Sequence, residues 1–133
     1  MKLIIVTNPN CPQCKQLSEL GACDGYDKEL VLIPKTPTDE HLFRIIWSTE
    51  DNHKTFKEML TGKKLSQKID FNFDTSSKEK HNLDMLNKLN SIEPISYTPM
   101  FFVDNGVEIK AIKIPKLDIK DLIKINMEKI NVL

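Results

Sequence analysis

Cys11 and Cys14 are separated by two residues and follow the apolar run Leu3-Ile4-Ile5-Val6 and the turn-forming Asn8-Pro9-Asn10. The residues after them read as a helix. A cysteine pair at the point where a buried strand hands over to a helix has a specific chemistry. The first turn of a helix presents unpaired backbone N–H groups and the positive end of the macrodipole, and both favour a thiolate over a thiol. If the helix begins at Pro12, Cys11 is the residue before it. Proline suits the first helical position, where its missing N–H costs nothing and its fixed φ is already helical. Cys14, one turn on, faces Cys11 and is shielded by the helix. The spacing thus places Cys11 to attack and Cys14 to resolve.

Two rival readings of such a pair are a zinc site and a structural bridge. Zinc takes about four ligands, usually as two paired motifs, whereas His41, His53 and His81 are scattered and in no ligand spacing. A bridge across two residues closes too short a loop to stabilise much. Redox chemistry is the favoured reading, and no metal or organic cofactor is called for. The third cysteine, Cys23, lies roughly 13 Å further along the axis at about 1.5 Å per residue if the helix runs to Ala22. That exceeds the ~7 Å limit for a bridge, so Cys23 reads as a free, half-buried thiol.

The second stretch with chemical content is Ile95-Ser96-Tyr97-Thr98-Pro99-Met100-Phe101-Phe102-Val103. A proline at the very start of an apolar strand cannot donate to the ladder. It is either an ordinary strand-initiating proline or a cis proline in a tight turn. With a Cys-x-x-Cys motif upstream, the cis reading is favoured.

Composition narrows the partners. The chain has 133 residues, with 19 basic and 19 acidic side chains, 40% hydrophobic and 29% charged. This suits a single domain, 1–133, with one core. A balanced charge gives no field that calls for nucleic acid or an anionic membrane surface. No run approaches the ~18 apolar residues of a membrane span, and Met1-Lys2 leads straight into the first apolar run without a secretory signal. The expectation is a cytoplasmic protein if this is the full-length product and an exported one if it is a mature or trimmed chain.

The remaining elements must position the two stretches. Lys2 to Thr7 reads as a buried strand and Glu29 to Ile33 as a second, giving a βαβ unit with parallel strands. From about 38 to 68 the pattern is helical and forms an insertion into the α/β core. Leu42, Ile45 and Ile46 share one face of its first helix, extended by Phe43 and Trp47. A second helix is predicted from Ser48 or Thr49, where Ser48-Thr49-Glu50-Asp51 resembles a capping box, with Phe56, Met59 and Leu60 as its stripe and Gly62 at its C-cap. Ile69, Phe71 and Phe73 suggest a short extended piece. Leu83, Leu86 and Leu89, flanked by Met85, mark a helix of two to three turns, with His81 solvated or capping at its start. Asp104-Asn105-Gly106 predicts a hairpin joining Met100–Val103 to a strand from Val107 to Ile114. There the apolar phase changes, and a bulge is expected near Ala111. A last helix is predicted after Asp118, with Ile119, Leu122, Ile123, Met127 and Ile130 at helical spacing.

Strand, Cys-x-x-Cys helix, strand, helical segment, Thr-Pro, hairpin and final helix is the order of a thioredoxin-like α/β fold, βαβ…ββα, with a helical insertion between the second strand and the cis-Pro loop. The run from Ile46-Trp47-Ser48 to Phe56, with Met59-Leu60-Thr61-Gly62-Lys63, resembles the inserted helical region of the bacterial disulfide isomerase family DsbC/DsbG. Asn82-Leu83 through Leu89, Tyr97-Thr98-Pro99 and Asp104-Asn105-Gly106 resemble that family's helix, Thr-cis-Pro loop and hairpin. The resemblance implies a thiol-disulfide oxidoreductase acting on protein disulfides. Cys11 would be the nucleophile and Cys14 the residue that releases the mixed disulfide. Pro12 and Gln13 would set the redox poise, and Thr98 and Pro99 would lie beside the cysteines, the Thr98 backbone pairing with an extended peptide. The partners implied are protein thiols and disulfides and a redox partner protein, with no nucleic acid and no membrane insertion. The family's N-terminal dimerisation domain is not in this sequence, so a monomer is expected in this form. Trp47 is followed by Ser48, so the family's second cysteine pair is not matched. Alternatives are a cytosolic glutaredoxin- or thioredoxin-like reductant and a non-catalytic module that holds peptides beside Thr98 and Pro99.

Overall fold

The computed structural model describes residues 2–19, 27–70, 72 and 74–112. The predicted C-terminal helix, Ile114, Phe71, Phe73, Gly21 and Cys23 lie outside them. The described elements run β1 (Lys2–Thr7), α1 (Pro12–Glu19), β2 (Lys28–Leu32), α2 (Asp39–Trp47), α3 (Asn52–Leu60), α4 (Ser76–Ile92), β3 (Met100–Asp104) and β4 (Ile109–Ile112). The strands form one sheet in the order β2-β1-β3-β4. β1 and β2 are parallel, as the βαβ pattern requires, and β3 is antiparallel to both β1 and β4.

Both faces of the sheet are covered, which is why its strands read as continuous apolar runs rather than alternating ones. Leu3, Ile5, Leu30, Leu32, Phe101 and Val103 pack with residues of α1, α2 and α3 on one face. Ile4, Val6, Val31, Met100 and Phe102 pack against α4 on the other. This double burial also explains the change of phase in β4. Its pairing with β3 continues unbroken, from Asp104 opposite Ile109 to Phe101 opposite Ile112, and the expected bulge at Ala111 is absent. Ile109 and Ala111 meet the α4 face, and Ile112 meets the other. The hairpin loop is longer than predicted and spans residues 105–108. Asn105 Oδ1 accepts from the N–H groups of Val107 and Glu108, Gly106 adopts φ +89°, and Val107 is 92% exposed in the turn instead of starting the strand.

Periodicity locates the helices, but tertiary packing selects the buried face. In α2 the buried apolar residues are Phe43, Ile46 and Trp47, all on the predicted face, while Leu42 and Ile45 are only partly buried. α3 begins at Asn52, later than the capping-box reading, because the Asp51 carboxylate caps it by accepting from Lys54 N–H at 3.1 Å. Ser48 instead closes α2, its hydroxyl donating to Arg44 O at 2.6 Å. Gly62 ends α3 with φ +71°, and its neighbour Lys63 donates back to Glu58 O at 2.8 Å, a Schellman-type closure. No strand forms in residues 63–70.

Helix α4 is 17 residues long, longer than its leucine stripe predicts. Leu83 is 57% exposed, Leu89 is fully buried, and Met85 and Leu86 pack beside it. The core-facing row is therefore 82, 85, 86 and 89, with Asn82 on it. Asn82 accepts from Leu32 N–H at 2.7 Å and donates to Leu32 O at 2.8 Å. It satisfies the N–H and C=O of Leu32 on the outer edge of β2, the side an unprotected strand would offer to another chain. His81, in the second turn and not at the helix start, lies 2.6 Å from Glu29 Oε1, and Lys2 binds the other oxygen of that carboxylate at 2.8 Å.

Replacing Asn82 by Ala removes the partners of both the N–H and the C=O of Leu32, a fully buried residue. The expected cost is about 1–2 kcal/mol, read as a lower urea midpoint at unchanged m, with faster exchange of the Leu32 amide.

Candidate active site

The loop between β1 and α1 is built on Asn8, which is fully buried. Its Oδ1 accepts from Asn10 N–H at 2.8 Å, the local turn that asparagine favours. Its Nδ2 donates to Ile33 O and to Asp39 Oδ2, both at 2.9 Å. Asp39 is the centre of a clamp. Besides Asn8 it accepts from the N–H groups of Lys35 at 2.7 Å and Thr36 at 3.0 Å. It also accepts from Thr36 Oγ1 at 3.0 Å and from Asn10 Nδ2 at 3.2 Å. Burial alone would push this carboxyl's pKa up. The backbone N–H of Lys35, the Asn8 amide and the two Thr36 donors outweigh it and bring it down to about 2.

The clamp holds Cys11 at the mouth of α1. Cys11 N–H donates to Asn8 O at 3.2 Å, and Cys11 O accepts the first helical bond, from Lys15 N–H at 3.0 Å. Pro12 is the exposed first residue of the helix. Cys14 N–H, in the first turn, donates to Cys11 Sγ at 3.2 Å, so the sulfur takes the place of an N-capping oxygen. The Thr98–Pro99 peptide is cis, and the loop it forms lies against the sulfur. Thr98 Oγ1 donates to Cys11 Sγ at 3.2 Å. Thr98 O at 3.5 Å and Gln13 Oε1 at 3.8 Å are the acceptors within reach of its thiol proton.

The two sulfurs have opposite electrostatics. Burial raises the Cys11 pKa, but hydrogen bonds from the Cys14 side chain, from Thr98 and from the Cys14 backbone, with the charge of Lys35, bring it below the ordinary thiol value. For Cys14, burial and the hydrogen bond to Cys11 push the pKa up to about 11. Thr7 Oγ1 is buried without a well-formed hydrogen bond and lies close enough to Cys14 to oppose part of that rise. Both cysteines are free thiols. The sequence suggests that Cys14 alone is shielded. In the fold both are buried, Cys11 to 1% and Cys14 to 5% exposure, because the Thr98 loop closes over the first sulfur. On the Cys14 side a cavity of about 310 Å³ opens between α1 and α3, with Pro99, Phe56 and Leu60 in its wall.

Cys11, Cys14, Gln13, Thr98 and Pro99 therefore converge on one site, with Pro12 at its rim. Two residues that sequence reading does not single out belong to it. Asp39 carries the weak signal of a carboxylate at the start of a helix after Thr36 and Thr38. Lys35, whose Nζ donates to Thr98 Oγ1 at 2.6 Å, carries none, since the two are 63 positions apart. Among the described residues no cluster of three or more His, Cys, Asp or Glu could hold a metal ion, and no helix is long and apolar enough to cross a membrane.

Asp39→Ala leaves the buried Asn8 amide short of an acceptor and should cost about 2–3 kcal/mol. The depressed pKa fixes the pH window: the stabilisation is fully present above the unfolded carboxyl value of about 3.9 and is lost as pH falls through about 2. Urea midpoints between pH 5 and 2 should fall more steeply for the native chain than for Asp39→Asn.

No protein-family model matches the sequence, and no curated protein does. Among solved structures, a crystal structure of a disulfide interchange protein from Neisseria gonorrhoeae is similar to this chain, with a TM-score of 0.60 at 19% sequence identity. The match covers 95% of this chain and 87% of that one. It establishes the fold, a mixed α/β architecture of the thioredoxin-like type.

Proposed function

We propose that the protein is a thiol-disulfide oxidoreductase acting on protein disulfides through Cys11 and Cys14. The observation that carries this reading is the pairing of one stabilised and one destabilised thiolate a single helical turn apart. Cys11 Sγ accepts from Cys14 N–H and Thr98 Oγ1, and Cys14 is held protonated by burial and by its neighbour. The thiolate, not the thiol, attacks a disulfide, so the first step falls to Cys11, whose pKa is the lowered one. Its sulfur bonds to one substrate sulfur, and the other leaves as a thiolate and takes a proton. Cys14 then loses its proton and attacks the Cys11 sulfur, and the second substrate thiolate is released. Two electrons pass to the substrate and the pair becomes a disulfide; the reverse sequence oxidises a dithiol.

Within that class the favoured form is a catalytic domain like those of the DsbC/DsbG family. The placement of α2 and α3 between β2 and the Thr98–Pro99 loop supports this, as does the likeness to a protein described as a disulfide interchange protein. The exposed backbone leading into Pro99 would pair with an extended client peptide, and a redox partner protein would restore the pair.

Cys11→Ser should abolish reduction of a protein disulfide such as those of insulin. Cys14→Ser should keep the first step and accumulate a mixed disulfide at Cys11, seen as a mass increase removed by dithiothreitol. Binding of client peptides without turnover, surviving both substitutions, would show a non-catalytic peptide-binding module instead.

A further inference from the structure

With Cys11 as a thiolate, which can only accept, the lone pairs and protons around Thr98 Oγ1 have one consistent assignment. A threonine hydroxyl carries one proton and two lone pairs, and a lysine ammonium has protons only. Lys35 Nζ sits 2.6 Å from Thr98 Oγ1 and must donate to it. That fills a lone pair and leaves the hydroxyl proton for Cys11 Sγ, 3.2 Å away. Without the lysine the hydroxyl is free to turn and accept, and its support of a thiolate is lost for part of the time.

We propose that Lys35 is a positioning residue for the Cys11 thiolate, acting through the Thr98 hydroxyl, which it holds as a donor to the sulfur. This rests on the reading above only in taking Cys11 as the nucleophile. Lys35 is itself placed by the fold, since its backbone N–H donates to Asp39 Oδ2 at 2.7 Å. The carboxylate that fixes the Cys11 loop thus also fixes the lysine. The side chain is exposed, so changing it removes nothing from the core. The titratable groups that act on Cys11 are Cys14 and Lys35, and the lysine charge acts in the direction that favours the thiolate. A charge at the surface acting through water alone is weakened by the high dielectric constant. A charge-assisted hydrogen bond into a half-buried hydroxyl is the stronger route.

The test is the pH profile of Cys11 alkylation by iodoacetamide, with peptide mass mapping to read Cys11 apart from Cys14 and Cys23. Lys35→Met should move the profile to higher pH and slow alkylation below its midpoint about threefold, the size of an exposed charge interaction. Lys35→Arg, which keeps a cationic donor, should restore most of the rate. In a Thr98→Val background, Lys35→Met should have little further effect. An unmoved profile in Lys35→Met overturns the proposal. So does a shift of the same size in the Thr98→Val background, which would show a direct field with no relay. Alkylation needs no disulfide substrate, so loss of the oxidoreductase reading would leave this result standing, and the reverse also holds.

Discussion

A carboxylate with no exposed surface, Asp39, ties together chain segments that the sequence keeps apart. Burying an unpaired charge is prohibitive, and burying one that accepts from several donors is tolerated because each lone pair is used. Here the donors come from the turn after β1 and from the turn after β2. The first turn carries Cys11 and the second carries Lys35. The two parallel strands supply the coarse placement, and the carboxylate sets the relative position of the loops at their ends. Everything at the site inherits its geometry from this junction.

What the junction presents is an asymmetric pair of sulfurs. Cys11 receives donors from two directions, the first turn of α1 and the loop before β3, and neither would suffice to define its position. The helix supplies a backbone N–H along its axis. Thr98, at the cis peptide before the neighbouring strand β3, lies against the same sulfur. Cys14 lies one turn along the helix, against Thr7, and its proton is retained. The difference between two identical side chains a turn apart is therefore one of environment: one is surrounded by donors, the other by apolar walls and a competing sulfur.

The sheet shows the same economy. Because both faces are covered, strand residues of either parity are apolar, and register is fixed by pairing and by the edges. Asn82 occupies the core-facing row of α4 and uses its amide to complete the outer edge of β2. A polar residue in that row reads from sequence as a break in the stripe, and in the fold it is the point that anchors the helix to the strand.

The order of the described elements and the placing of the cysteine pair at a helix start are legible in the sequence. The apolar runs at Leu3–Val6 and Leu30–Leu32, the Asn8-Pro9-Asn10 turn, the Cys11–Cys14 spacing at a helix start and the Gly62 and Gly106 turns are all local signals, governed by backbone conformations that neighbours in the chain dictate. Only the fold sets how each face is turned: in α2, Leu42 and Ile45 are less buried than Phe43, Ile46 and Trp47, and in α4, Leu83 is exposed while Asn82 joins Met85, Leu86 and Leu89. An apolar stripe two residues wide can rotate by one position at little cost until a partner surface selects one setting. It also decided that Ala111 needs no bulge, because a second covered face accepts the out-of-phase residues. The Asp39 clamp and the Lys35–Thr98–Cys11 chain were decided there too. Apart from the local bonds of Lys35 and Thr36 to Asp39, their hydrogen bonds join residues 29 to 87 positions apart and leave no periodic trace, since their energy depends on distance and angle at a meeting point that exists only once the sheet has formed.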